Sequence, residues 1–154
     1  MLPRTINLFK QAKSKEENSV NNLLLSNQHK IRLGLDRVNK AIKNLNLNTE
    51  YPFTNICTIN GTSGKNSIIQ ILKSILIKHK KKYAAFYSPH LMSIVERLEH
   101  NKKFIKLALL KKILLIVHNQ KNLTQFEKLT IAFGLFIKNL KLDWVYGEFG
   151  LFGR

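Results

Sequence analysis

At 154 residues and 44% hydrophobic content, the chain is the size of one domain and has enough apolar side chains to bury a core. Its single cysteine, Cys57, excludes an internal disulfide and a sulfur-rich metal cluster, in keeping with a reducing, cytoplasmic setting. A helical membrane span is excluded as well, because no run of about 18 apolar residues occurs; the most apolar window, Leu107 to Val117, is interrupted by Lys111 and Lys112. No apolar block follows Arg4, Lys10, Lys13 and Lys15, so no secretion signal is expected.

The net charge of +17, from 26 basic and 9 acidic side chains, raises the question of nucleic acid. Lys, Asn and Ile number 21, 16 and 16, a bias that codon composition produces without selection for a polyanion. The bases are scattered, apart from Lys78, Lys80, Lys81 and Lys82, and no aromatic residues are interleaved with that run as stacking recognition requires. A solvated surface is therefore preferred, and a basic nucleic-acid-binding module is the alternative reading.

Residues 1–30 form an arm rich in Asn, Ser, Gln, Lys and Glu with one apolar island, Leu23 to Leu25, and the pattern assigns it neither an element nor a chemistry. From Leu35, the apolar residues Val38, Ile42 and Leu45 recur at helical spacing, and Asn44, Asn46, Asn48 and Pro52 end the helix. Phe53 to Ile59 reads as a strand, Asn60 to Lys65 as a turn, and Ile68, Ile69, Leu72, Ile75 and Leu76 as a helix. Tyr83 to Tyr87, closed by Ser88 and Pro89, is a second strand; from Phe53 onward this has the size of a βαβ unit with a right-handed crossover and parallel strands. Phe104 to His118 predicts a helix with one apolar face. Thr124 and Glu127 stand at capping-box spacing before another helix reaching Asn139. Leu142 to Glu148 is a third strand, which runs into a glycine-rich end. The order predicts an α/β, three-layer fold with a mostly parallel sheet.

The run Gly61, Thr62, Ser63, Gly64, Lys65, Asn66, Ser67 stands where a strand hands the chain to a helix N-terminus. Glycines there let backbone N–H groups turn toward phosphate oxygens, and the helix end adds partial positive charge. Lys65 can meet the terminal phosphates, and Ser67 or Thr62 can order them or their metal. The spacing is a variant of the usual phosphate loop, because Asn66 separates Lys65 from Ser67. A carboxylate at the carboxyl end of a strand beside such a loop, Glu148, is where an α/β sheet places ligand groups, and a hard cation wants its oxygens. Ser88 is equally read as a turn residue, His90 as a loop histidine and Arg97 as a surface base.

Together these motifs resemble the folylpolyglutamate synthase and dihydrofolate synthase family of the Mur ligase superfamily, whose shortened loop reads G-T-N-G-K-G-S. Ser88, Pro89, His90, Leu91 followed by Glu96, Arg97, Leu98 are similar to its S-P-H-L and E-R-I. Thr124, Gln125, Phe126, Glu127 match its T-x-F-E, and Glu148, Phe149, Gly150, Leu151, Phe152, Gly153, Arg154 resemble its E-V-G-L-G-G-R. Leu33, Gly34, Leu35, Asp36, Arg37 resemble its opening L-G-L-x-R.

The resemblance, over residues 31–154, implies a phosphate-loop domain of the Mur ligase type that binds ATP and Mg2+. Lys65 is its catalytic lysine, and Gly61, Thr62, Ser63, Gly64, Asn66 and Ser67 complete the ATP loop. Ser88 and Glu148 hold the metal, and His90 and Arg97 lie on the folate side. In such ligases a folate or dihydropteroate carboxylate attacks the γ-phosphoryl group of ATP, and the amine of glutamate captures the acyl phosphate. The family's later segments, with a further histidine ligand, a modified lysine and a C-terminal glutamate-binding domain, have no counterpart in this sequence. The expectation is an N-terminal ATP-binding portion: half of a split ligase completed by a second polypeptide, or a remnant inactive alone. Phe152 and Asn66, which depart from the family pattern beside the metal and the lysine, bear against turnover.

Overall fold

The structure is a computed structural model, and it describes residues 3–25, 34–47, 53–61 and 63–149. In chain order the elements are α1 (Pro3–Leu25), α2 (Asp36–Asn44), β1 (Phe53–Asn60), α3 (Lys65–Lys78), β2 (Tyr83–Phe86), a 3-10 turn (Ile94–Arg97), β3 (Leu98–His100), β4 (Lys103–Phe104), α4 (Leu107–His118), α5 (Gln125–Ile137) and β5 (Leu142–Phe149). They divide into two compact units, one from residues 1–49 and 106–135 and the other from 50–105 and 136–154.

The first unit is helical. Residues 3–25, to which the sequence pattern gives no element, are one long helix, and its tie to the fold is tertiary. Val20 and Leu24 are buried, α1 packs on α4, and the buried Lys128 donates to the carbonyls of Leu23 and Leu24 at 2.9 and 3.2 Å. Those carbonyls belong to the last turn of α1, which has no partners within the helix. Burial lowers the Lys128 pKa. The predicted capping box at the start of α5 is formed: Glu127 accepts from the Thr124 N–H at 2.8 Å and its own N–H donates to the Thr124 hydroxyl at 3.3 Å. Arg37 closes on the same carboxylate at 2.8 Å.

The second unit is a five-stranded sheet in the order β1-β5-β2-β3-β4 with α3 packed on one face. β1 and β2 are parallel, as a βαβ unit requires, but β5 lies between them and pairs with both. The sheet is mixed, because β3 and β4 extend it with antiparallel pairing. That hairpin is invisible to periodicity, its strands being only 3 and 2 residues long. It turns on Asn101 and Lys102, both at positive φ (45° and 69°), as a twisted two-residue hairpin demands. Phe104, expected at the start of a helix, instead pairs with Glu99 in β4, and the helix begins at Leu107.

Ile69 and Leu76 of α3 sit in a core with Ile59, Tyr83, Ala85, Tyr87 and Tyr146, and Leu72 packs against it. Fully burying such a side chain is worth about 1.5–3 kcal/mol. The helix ends in a Schellman motif: Lys80, at φ 53°, donates to Ile77, and Lys81 donates to Leu76 at 2.9 Å.

Candidate functional site

Three parallel strands end side by side. The register sets Ile59 of β1 opposite Glu148 of β5, and Phe86 of β2 opposite Gly147. The chain leaving β1 therefore enters its glycine loop beside Glu148, and the chain leaving β2 reaches Ser88 on the other side. Side chains alternate along β5, so Glu148 points to the same face as Tyr146, the face that α3 covers.

Gly61 and Gly64 take positive φ values of 142° and 80°, and a Cβ at either would meet open space, so the requirement is for backbone conformation alone. Gly64 is the N-cap of α3 and has no side chain to bond the first-turn N–H groups, which suits an anion there. Lys65 opens the helix and folds back: its Nζ donates to the Gly61 carbonyl at 2.7 Å and stands 3.9 Å from Glu148. Ser63, Asn66 and Ser67 are exposed along the loop and first turn. Thr62 lies outside the described residues, as do Leu33 and Gly150, Leu151, Phe152, Gly153 and Arg154.

Glu148 is only 7% exposed; among the described residues the Lys65 ammonium stands 3.9 Å from it, the Ser88 N–H donates to it at 3.4 Å, and the Arg97 charge acts on it. A buried carboxylate whose hydrogen-bond and ion-pair contacts among the described residues are this long could accept a cation. Among the described residues no three His, Cys, Asp or Glu side chains gather as a ligand set. One carboxylate beside Ser88 could instead serve Mg2+, which keeps waters and binds with substrate phosphates.

Residues expected on the folate side converge on Ser88. Arg97 donates through Nε to His90 Nδ1 at 2.9 Å and through its terminal nitrogen to the Ser88 hydroxyl at 3.3 Å. Burial, and then the Arg97 charge, holds the His90 pKa below the ordinary histidine value. Glu96, whose role the sequence does not reveal, gathers the N–H groups of Leu91, Met92 and Ser93 at 2.9 to 3.2 Å and pins the loop that follows Ser88. Those bonds, led by Leu91, lower its pKa.

A second set is also absent from the motifs: Glu99 accepts from Lys73, Tyr83 and Tyr87, and burial first, then Glu99, pushes both phenol pKa values far up. The signal that could have found it is an acid set among β-formers in a chain so poor in acids. Of the lysine run, Lys81 is paired with Asp143 at 3.3 Å and the Lys82 N–H donates to the same carboxylate at 2.8 Å.

No protein-family model matches the chain. The Haemophilus influenzae dihydrofolate synthase/folylpolyglutamate synthase is 34% identical over 126 residues, which are 80% of this chain and 28% of that protein. The chain is a relative of the folylpolyglutamate and dihydrofolate synthases. The Escherichia coli enzyme of this kind, FolC, solved in complex with DHPP and ADP, superposes with a TM-score of 0.77 at 28% identity, over 90% of this chain and 34% of that one. The Yersinia pestis bifunctional synthase complexed with AMPPNP and Mn ion gives a TM-score of 0.76 at 29% identity, over 88% and 33%. This synthase relative thus spans about a third of the length of the proteins it matches, and its α/β fold is theirs. Among the described residues, no helix is long and apolar enough to cross a membrane.

Proposed function

We propose that this chain is the ATP- and magnesium-binding portion of a folylpolyglutamate synthase-type ligase, which joins glutamate to a folate or dihydropteroate carboxylate. The observation that carries the reading is the convergence of Lys65, Glu148 and Ser88 at the carboxyl ends of β1, β5 and β2. The loop N–H groups of residues 61 and 63–67 would cradle the triphosphate. Lys65 would exchange its bond to the Gly61 carbonyl for the terminal phosphates, and Glu148 with Ser88 would hold Mg2+. When bound, the metal supplies neutralisation of the charge on the transferring phosphoryl group. The chain's own contribution is positioning and electrostatic stabilisation. Arg97 orients the Ser88 hydroxyl, and with His90 it faces the folate side. Amide formation also requires glutamate held against the acyl phosphate, so we assign turnover to a complete ligase fold and only nucleotide binding to these residues.

The test is thermal unfolding of the chain with ATP and Mg2+. A ligand at about 100 times its Kd stabilises by about 2.7 kcal/mol, so Tm should rise. Lys65→Ala should abolish the rise; a mutant that keeps the full shift removes the site assignment.

A further inference from the structure

The second unit holds a buried carboxylate that the phosphate and metal cluster does not use. Glu99, on β3, is 2% exposed and accepts three short hydrogen bonds: from Lys73 Nζ at 2.8 Å, Tyr83 Oη at 2.7 Å and Tyr87 Oη at 2.9 Å. The Lys73 ammonium also lies over the Tyr87 and Tyr83 rings, 5.6 and 6.0 Å from their centroids. The partners are informative. Lys73 belongs to α3, the helix whose first residue is Lys65, and Tyr87 is the residue immediately before Ser88. Tyr87 is also fixed through its main chain, its N–H donating to the Arg97 carbonyl at 2.9 Å. One carboxylate thus fastens the helix that delivers Lys65 to the strand end that delivers Ser88.

We propose that Glu99 is a positioning residue: through Lys73 and Tyr87 it sets the span between Lys65 and Ser88, and with it the room for a metal-bound phosphate beside Glu148. The proposal rests on the reading of Lys65, Ser88 and Glu148 given above. A network serving stability alone would use its two tyrosines alike, since each gives one hydroxyl to the same carboxylate. Their places differ, however. Tyr83 is at the opposite end of β2 from Ser88, and there its oxygen also accepts the Lys102 N–H at 3.0 Å.

The matched variants Tyr87→Phe and Tyr83→Phe separate the two roles in the full chain. Both should lower Tm, Tyr83→Phe at least as much because it loses two bonds. Only Tyr87→Phe should weaken the Mg2+ dependence of the ATP-induced Tm rise, by about 10-fold in midpoint, as loss of a ligand's supporting shell does. Only Tyr87→Phe should speed hydrogen exchange at the Ser88 amide in the ligand-free chain. Equal effects of the two variants on the Mg2+ dependence and on Ser88 exchange, or no effect of Tyr87→Phe on either of these, would overturn the proposal. If the parent chain ignores ATP and Mg2+ altogether, the functional reading falls, while the exchange comparison still decides whether Glu99 positions Ser88.

Discussion

Glu99 and Glu148 are the same residue on the same sheet, and both are almost fully buried, at 2% and 7% exposure. Their surroundings are opposite. Glu99 is saturated by an ammonium and two phenols within 2.9 Å, whereas among the described residues Glu148 meets the Ser88 N–H at 3.4 Å and the Lys65 ammonium at 3.9 Å. Burying a carboxylate is costly unless it is paired, so the first arrangement is complete in itself, and the second agrees with the cation site proposed above. Burial alone, therefore, does not mark a functional acid.

The contrast breaks most readily at Glu99. Removing one partner of a buried ion pair leaves the other charge stranded, so Glu99→Ala should cost about 3–5 kcal/mol in urea unfolding. A loss under about 1 kcal/mol would mean that the three bonds are no better than those of a surface acid. Replacing both charges in a Lys73→Met, Glu99→Leu double variant should recover part of that loss, with a coupling energy of about 1–3 kcal/mol. Recovery stays partial because the hydroxyls of Tyr83 and Tyr87 lose their acceptor.

An intermediate case sharpens the comparison. Burial raises the Glu127 carboxyl pKa, but the bonds from Arg37 and Thr124 outweigh it and hold the group below its ordinary value of 4.5. The sign follows from linkage. Ionised Glu127 stabilises the fold at any pH above that ordinary value, and the contribution is lost as pH falls through the lower, folded pKa. Unfolding free energy measured down this acid range should drop more steeply in the parent than in Glu127→Gln, by about 1 kcal/mol, the scale of a helix cap. Parallel curves would show that the Arg37 contact contributes nothing.

What the sequence discloses follows from what is local. The capping box of Thr124 and Glu127, the glycine loop at the end of β1 and the apolar spacing of α3 are short-range patterns, and each forms as read. The α1 helix is not legible, because its sequence is largely polar; among its described side chains Val20 and Leu24 are the buried apolar ones, and it is tied by Lys128 from far along the chain. The β3–β4 hairpin escapes because 2 and 3 residues carry no period. At the site, Lys65, Ser88 and Glu148 are named by their motifs, and His90 and Arg97 with them, but their mutual contacts are set by strand register. Glu99 is silent for the same reason: its partners Lys73, Tyr83 and Tyr87 come together only when α3 lies across the sheet.

The smallest expected effect on stability belongs to the residue with the largest expected effect on binding. Glu148→Gln removes a buried charge that has no short partner among the described residues, and the amide oxygen can still accept the Ser88 N–H. Lys65 keeps its 2.7 Å bond to Gly61. The two changes nearly cancel, so the ligand-free variant should unfold within about 1 kcal/mol of the parent, with either sign allowed. The stabilisation that Mg2+ adds in the presence of ATP should vanish, because a neutral amide is a poor ligand for a hard, doubly charged cation that prefers carboxylate oxygen. A variant that loses several kcal/mol without ligand would show Glu148 to be a structural acid like Glu99, and the distinction between the two carboxylates would collapse.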